Sequence, residues 1–233
     1  MEKPLEIHAY HGWGFGPDFW TPLQSCIPET IPFKVANRGY VNSPFIPRFE
    51  PLRSVKVVFV HSFGFHWCNT AVLSKADVIV LFNSFVEFIP PGNKAASKKL
   101  ELTIQAFRDH PLEVWHQFRE HAFSPNQSSF TAGESADTGL LLHDLKQLKS
   151  TRYPMIDLDS LPLMVAIDSG QDHILDAPRG GDLLSGYVGK KEHLVFENDG
   201  HALPFVKAEE CWSYLCSVVP IFGWHENNRS AST

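Results

Sequence analysis

A serine follows directly on an apolar run in the sequence VKVVFVHSFGF, residues 55–65. A buried strand that turns sharply into a helix is the setting of a nucleophile elbow, in which the serine hydroxyl is raised at the carboxyl end of a sheet. Gly64 allows strand and helix to approach, but Val60 stands where the Gly-x-Ser-x-Gly pattern has its first glycine. Ser62 is therefore a candidate nucleophile, and an ordinary strand-end serine is the alternative.

Candidate partners for this serine lie downstream. A serine hydroxyl needs a base to take its proton and a carboxylate to orient that base, and elbow enzymes have them in the chain order Ser, acid, His. The sequence LMVAIDSGQDHIL offers Asp168 at the end of an apolar run and Asp172 in the loop beyond it, and ENDGHALPF supplies His201. The order predicts a triad with Ser62 and His201. Asp172 is the preferred acid because it follows Gly170 in a turn-rich loop, and Asp168 is the alternative.

Acyl transfer also requires hydrogen-bond donors that meet the oxyanion as it forms. The loop His11-Gly12-Trp13-Gly14 follows the apolar run LEIHAY. We predict that the backbone N–H groups of Trp13 and Phe63 supply these donors. A glycine turn with a packing tryptophan is the alternative.

The elements that must position these residues are short apolar runs separated by segments of helical character. The runs cover residues 5–10, 33–38, 55–62, 77–84, 163–169 and 193–199. Several are continuously apolar, which is typical of strands buried on both faces of a parallel sheet. Alternation with helices predicts the α/β class with a mostly parallel sheet.

One stretch is too long for a single crossover. Residues 86–152 follow the run at 77–84 and show helical periodicity, so we expect two to four inserted helices. Prolines flank the stretch at positions 90, 91 and 154, as expected at element boundaries. The predicted organisation is a core of 1–85 and 153–225, a helical lid at 86–152 and a disordered tail at 226–233.

The motifs together resemble a known family. The sequence from His11 to Trp20, the serine elbow and the motif from Gly200 to Phe205 are similar to those of the pimeloyl-acyl-carrier-protein methyl ester esterases of biotin synthesis, in their compact variant. The resemblance covers the whole chain and implies the α/β-hydrolase fold. It implies that Ser62, Asp172 and His201 cleave a methyl ester on a carrier-bound pimeloyl chain. The backbone of Trp13 and Phe63 would bind the oxyanion.

The same resemblance implies a lid over an apolar tunnel and an acidic acyl carrier protein as partner. Tunnel-lining candidates are Phe107, Trp115, Phe118 and Phe123, whose alternative role is the lid's own core. Docking candidates are Lys98, Lys99, Arg108, Arg119, Lys149 and Arg152, whose alternative role is that of solvated surface charges.

Composition narrows the function classes. A net charge of -6 and a pI near 6.0 give no global basic field for binding nucleic acid. The first residues lack a secretory signal pattern, and no apolar run approaches the roughly 18 residues that span a bilayer. We therefore expect a cytoplasmic, monomeric protein with no membrane and no nucleic-acid partner. No histidine spacing or glycine pattern indicates a metal or a cofactor.

Other functions stay open at this point. The same triad serves general short-chain carboxylesterases, thioesterases and some lyases, since the fold does not fix the substrate. A non-catalytic binding protein that keeps the hydrolase fold is the alternative from another class, and Val60 is its best support.

Overall fold

A computed structural model describes residues 4–50, 55–126, 135–153 and 162–223. The described strands form one six-stranded sheet in the order β2-β1-β3-β4-β5-β6, and every neighbouring pair is parallel. The strands are β1 Leu5–Tyr10, β2 Phe33–Ala36, β3 Val55–His61, β4 Val78–Phe82, β5 Leu163–Ser169 and β6 Lys191–Phe196. The predicted parallel sheet is confirmed, whereas the predicted tail at 226–233 lies outside the described residues.

Nine α-helices occur in the described parts of the chain. They are α1 Thr21–Cys26, α2 Gly64–Trp67, α3 Thr70–Leu73, α4 Lys94–Asp109, α5 Pro111–Phe123, α6 Thr138–Gln147, α7 Gly180–Ser185, α8 Leu203–Val206 and α9 Ala208–Val218. The helix after β3 is broken because the side chain of Asn69 accepts a hydrogen bond from the N–H of Ala71 and starts α3. None of these helices is long and apolar enough to cross a membrane.

The sheet has an apolar core on each face, as its apolar runs predict. On one face, Ile7 and Phe59 belong to a buried cluster that includes Trp20 and residues of α9. On the other, Val58 and Val60 belong to a cluster with Phe65 and residues of α3 and α7. Because both faces of the sheet are covered, a site can form only along the edge at which the strands end.

Helices α4, α5 and α6, which we call the lid, lie between β4 and β5 in the chain. Their starts are fixed locally: Asn93 and Asp137 accept backbone hydrogen bonds at the beginning of α4 and α6, and α5 begins at Pro111. Their apolar faces form a third buried cluster with Trp13 and Phe63. The lid therefore covers the carboxyl edge of the sheet.

Buried hydrogen bonds join the lid to the loop after β1. The indole N–H of Trp115 in α5 donates to the carbonyl oxygen of Gly14 (2.7 Å), and that of Trp13 donates to the carbonyl oxygen of Leu141 in α6 (2.8 Å). Gly14 has φ +76°, and a Cβ there would press on Trp115 and Phe118. The close approach of loop and lid thus depends on glycine.

A buried ionic cluster joins the lid to the loop after β2. Asp144 of α6 is 1% exposed and accepts two hydrogen bonds of 2.8 Å from the guanidinium of Arg38. The hydroxyl of Tyr40 donates to the same carboxylate at 2.7 Å. A buried charge paired in this way is costly to break from one side, so the cluster anchors α6.

The lid also touches the loop after β6. The N–H of Ala202 donates to the carbonyl oxygen of Ala122 near the end of α5 (3.0 Å), and the N–H of Gly200 donates to the side chain of Asn126 (3.2 Å). A Cβ on Gly200 would collide with the carbonyl oxygen of Ser124. The lid is thus bonded to loops on both sides of the sheet's carboxyl edge.

Candidate active site

Ser62 occupies a sharp left-handed turn at the end of β3. Its φ is +53°, and its N–H donates to the carbonyl oxygen of Phe82 at 2.9 Å. Left-handed backbone is uncommon for a serine and costs energy that the surrounding structure must offset. Gly64 lies so close to β1 that a Cβ would collide with the carbonyl oxygen of Tyr10. This is the strand, turn and helix geometry expected of a nucleophile elbow.

Val60 does not prevent this turn. Its side chain is fully buried in the apolar cluster that also holds Phe65 and Leu81. The valine packs in the apolar core on that face of the sheet. The helix that follows, α2, spans only four residues, Gly64–Trp67. The departure from the usual glycine is therefore accommodated by packing while Ser62 keeps its left-handed conformation.

Asp172 and His201 form a buried pair. Nδ1 of His201 lies 2.6 Å from Oδ2 of Asp172, and the carboxylate also accepts the N–H groups of Ile174 and Leu175 at 2.8 and 2.9 Å. Burial by itself raises the pKa of Asp172, but the charge of His201 and these hydrogen bonds outweigh it and hold the pKa below its ordinary value. The carboxylate is therefore ionised and orients the imidazole.

The second ring nitrogen of His201 is the basic one. With Nδ1 donating to Asp172, the neutral ring carries its lone pair on Nε2. This atom is buried and has no hydrogen-bond partner among the described residues. The ring centroid lies 4.8 Å from that of His61, the residue that precedes Ser62. The free nitrogen is thus beside the elbow, where a base would be required.

Asp168 is engaged elsewhere. Its Oδ2 accepts a hydrogen bond from Nε2 of His193 at 2.8 Å and another from the N–H of Gly180 at 2.7 Å. Burial raises the pKa of Asp168, and these hydrogen bonds only partly offset that effect. Between the two aspartates that the sequence offers, Asp172 is the one bonded to His201.

The loop after β1 lies against the elbow. A Cβ on Gly12 would stand 2.8 Å from Nδ1 of His61 and 3.1 Å from Cβ of Ser62, so glycine is needed for this approach. Trp13 and Phe63 line the same cavity as Ser62. Within the described ranges, neither of their backbone N–H groups is bonded to a backbone or side-chain acceptor.

The cavity above Ser62 measures about 640 Å³ and is mostly apolar. It lies between the lid and the sheet edge, and its apolar lining includes Phe85, Phe88, Leu100, Val114, Phe118, Leu145, Leu148 and Ile174. A cavity of this volume and lining suits an apolar chain with one reacting polar group.

The four aromatic candidates for the cavity lining lie in different places. Phe118 borders the cavity, but Phe107 and Trp115 lie in the lid's own buried cluster. Phe123 belongs to the core of the sheet, with its ring 6.0 Å from that of Phe15. Each of the three is turned away because helix packing, which sequence spacing does not specify, decides which face of α4 and α5 meets the cavity.

Polar residues stand at the cavity mouth. Lys99 of α4 lies 3.3 Å from Asp176 of the loop after β5, and both are largely exposed. Arg179 also lines the cavity, and its guanidinium donates to the carbonyl oxygens of Glu87, Phe88 and Leu175. This arginine holds the loop after β5 to the segment after β4.

Arg119 was wrongly predicted as a docking residue. It is 6% exposed, and its guanidinium lies 4.9 Å from the ring centroid of Trp115, one helical turn away. Burial lowers its pKa to about 10. Its side chain packs within the molecule and does not face an external partner.

The other predicted docking residues are exposed. Lys149 pairs with Glu101 at 2.9 Å and Arg152 with Glu87 at 3.2 Å. Lys98 and Arg108 are also exposed, on α4. Exposed ion pairs are weak and can exchange partners, so these positions stay a prediction.

No group of three or more His, Cys, Asp or Glu side chains in the described ranges is placed to hold a metal ion. The arrangement itself offers a raised hydroxyl, an oriented imidazole and unbonded N–H groups beside an apolar cavity.

Comparison with known proteins identifies the fold. Neither a protein-family model nor a curated protein sequence matches the chain. Solved structures do: an esterase, EaEST, from Exiguobacterium antarcticum has a TM-score of 0.69 at 11% identity and covers 94% of this chain and 93% of its own. A hydrolase from Oleispira antarctica, olei00960, has a TM-score of 0.68 at 13% identity, covering 91% and 90%. ClbQ from the colibactin NRPS/PKS pathway has a TM-score of 0.65 at 9% identity, covering 94% and 98%. The predicted α/β-hydrolase fold, with helices inserted after β4, is confirmed.

Proposed function

We propose that this protein is a serine hydrolase of acyl esters. The observation that carries the proposal is the 2.6 Å contact between Asp172 and His201 beside a left-handed Ser62 that opens on an apolar cavity. This arrangement is not expected of an ordinary strand-end serine or of a histidine that only caps a helix. The nucleophile, base and orienting acid stand in the chain order that elbow enzymes use.

The reaction follows from these positions. Oγ of Ser62 attacks the ester carbonyl carbon while Nε2 of His201 takes the hydroxyl proton, and Asp172 stabilises the imidazolium. The backbone N–H groups of Trp13 and Phe63 donate to the oxyanion. The tetrahedral intermediate collapses as His201 returns the proton to the leaving alcohol. Water, deprotonated by His201, then attacks the acyl-enzyme and releases the acid and Ser62.

The finer proposal concerns the substrate. The sequence motifs resemble those of esterases that cleave the methyl ester of pimeloyl-acyl-carrier protein in biotin synthesis, and we propose this ester as the substrate and the acyl carrier protein as partner. The apolar cavity suits the methylene chain. Lys98 and Arg108 are exposed on α4 and are available to an acidic partner. We also propose that the protein is cytoplasmic and monomeric.

The experiment compares two substrates. Purified protein and a Ser62→Ala variant are assayed with pimeloyl-acyl-carrier-protein methyl ester and with a free p-nitrophenyl ester of similar length. Serine-dependent cleavage that prefers the carrier-linked ester supports the biotin-pathway substrate. Cleavage of the free ester alone leaves an esterase of another substrate class. Cleavage of neither, together with no labelling of Ser62 by a fluorophosphonate probe, contradicts the hydrolase proposal and favours a binding protein.

A further inference from the structure

Two buried side chains, Asn83 and Ser169, connect the ends of β4 and β5 to the loop that carries His201. Nδ2 of Asn83 donates to the carbonyl oxygen of His201 at 2.8 Å and to Oγ of Ser169 at 2.9 Å. Oδ1 of Asn83 accepts the N–H of Ser169 at 2.8 Å. These partners admit one orientation of the amide, because a carbonyl can only accept and an N–H can only donate.

The chain of hydrogen bonds continues to the residue before the histidine. Oγ of Ser169 donates to the carbonyl oxygen of Gly200 at 2.5 Å. Nε2 of His61 donates to the carbonyl oxygen of His201 at 2.9 Å. Two consecutive carbonyl groups are thus held by three side chains that are all at most 1% exposed. Since an unmet buried carbonyl is costly, these bonds define the path of the backbone at His201.

Asn83 is itself fixed in an unusual conformation. Its φ is +43°, and its N–H donates to the carbonyl oxygen of Ile167 in β5 at 2.9 Å. Asparagine enters the left-handed region more readily than most residues. The turn aims its amide across the sheet edge toward His201, one strand away from the left-handed turn at Ser62.

We infer that Asn83 and Ser169 are positioning residues for His201, acting through the backbone carbonyls of Gly200 and His201. The inference rests on the proposed function, because it assigns His201 the role of base. The imidazole has Asp172 as its only side-chain partner among the described residues, so the place of Nε2 relative to Ser62 depends on where the backbone lies. A displacement of about 1 Å can lower the rate roughly 100-fold.

The test uses Asn83→Gly, Ser169→Ala and their combination. Glycine removes the amide and tolerates the positive φ, so strain does not confuse the result. We expect each single variant to lower kcat about 10- to 100-fold with KM nearly unchanged. The double variant should lose little more, because the two side chains act in one chain of bonds. If Asn83→Gly does not fold, Asn83→Asp replaces it, since it keeps the acceptor oxygen and removes the donor.

Ser84→Ala is the matched control. Ser84 is adjacent to Asn83 and equally buried, but its hydroxyl is bonded only to the carbonyl oxygens of Val60 and Phe82 among the described residues. This variant should keep wild-type kcat. Circular dichroism and the melting temperature establish that every variant is folded. Wild-type kcat in folded Asn83→Gly and Ser169→Ala proteins would overturn the inference.

A second readout does not depend on any substrate. The proton on Nδ1 of His201, in its short bond to Asp172, gives a low-field NMR signal that reports the position of the ring. We expect it to shift or broaden in Asn83→Gly and Ser169→Ala but not in Ser84→Ala. An inactive wild type whose signal responds to these variants refutes the proposed function and keeps the positioning role. An active wild type with an unresponsive signal refutes the positioning role alone.

Discussion

Oδ2 of Asp168 lies 2.8 Å from Nε2 of His193, so the aspartate at the end of β5 is already paired with a histidine other than His201. Asp172, four residues later in the chain, is left to orient His201. The sequence alone leaves both aspartates open as the acid, because either lies in the correct order after Ser62. Their different partners make the assignment testable.

Replacing each aspartate by asparagine should have unequal effects. Asp172→Asn removes the acceptor that fixes the tautomer of His201, and we expect kcat to fall about 10⁴-fold. Asp168→Asn alters the pair with His193 and leaves the bond between Asp172 and His201 in place, so activity should fall far less. The measurement is kcat on a p-nitrophenyl ester together with the rate of fluorophosphonate labelling. An equal loss in the two variants would show that Asp172 is not the acid.

Acid should remove a part of the stability that Asp172 provides. Its folded pKa is below its unfolded value of about 3.9, so its contribution is complete above the unfolded pKa and disappears as pH falls through the folded pKa. We expect the difference in free energy of unfolding between wild type and Asp172→Asn to shrink as pH is lowered from about 5. Urea unfolding at a series of pH values measures it. A constant difference would contradict the depressed pKa.

A methyl group at Gly64 should disturb the elbow. The Cβ of Gly64→Ala would collide with the backbone carbonyl of Tyr10, and backbone cannot move aside as a flexible side chain can. We expect a loss of about 2 kcal/mol or more in unfolding free energy, with loss of activity. Gly186→Ala is the control, because it has φ -89° and no atom within 4 Å of the added carbon. Equal stability of the two variants would mean that α2 does not approach β1 as described.

Filling the cavity should change the preferred acyl length. Leu145 lines the cavity from α6 and is 4% exposed. Leu145→Phe should lower kcat/KM for long-chain p-nitrophenyl esters by about tenfold or more and change it little for acetate, since a misfit of about one methylene costs 1–3 kcal/mol. Leu112→Phe on α5 is the control, because Leu112 is 39% exposed and does not border the cavity. An unchanged length profile would place the acyl chain elsewhere.

The sequence predicts the sheet well because its strands are buried on both faces. Continuous apolar runs such as those of β3 and β4 are typical of strands in a parallel sheet that is buried on both faces. The order Ser62, Asp172 and His201 is the one that elbow enzymes use, and a parallel sheet brings the strand ends that precede these residues to one edge. The apolar runs and the chain order of the three residues are both properties of the sequence itself, so they can be recognised without a structure.

The lid and the supporting bonds could not be predicted in the same way. Spacing identifies α4 and α5 as helices, but the burial of Phe107 and the exposure of Leu102 depend on how the helices pack together. Arg119, four residues after Trp115, carries a usable signal for stacking within one helix face. Asn83 and Ser169 carry no such signal. Asn83 is bonded to the carbonyl oxygen of His201, 118 residues away, and Ser169 to the carbonyl oxygen of Gly200, 31 residues away.

The bonds of the lid to both flanking loops bear on how this scaffold can be engineered. Trp115 reaches the carbonyl of Gly14 on one side, and the carbonyl of Ala122 meets the N–H of Ala202 on the other. A lid transplanted from another protein of this fold would leave these groups unmatched, at the loops that carry the proposed oxyanion donors and the proposed base. An experiment that grafts a new lid to change the substrate should therefore transfer the loops after β1 and β6 together with the three helices.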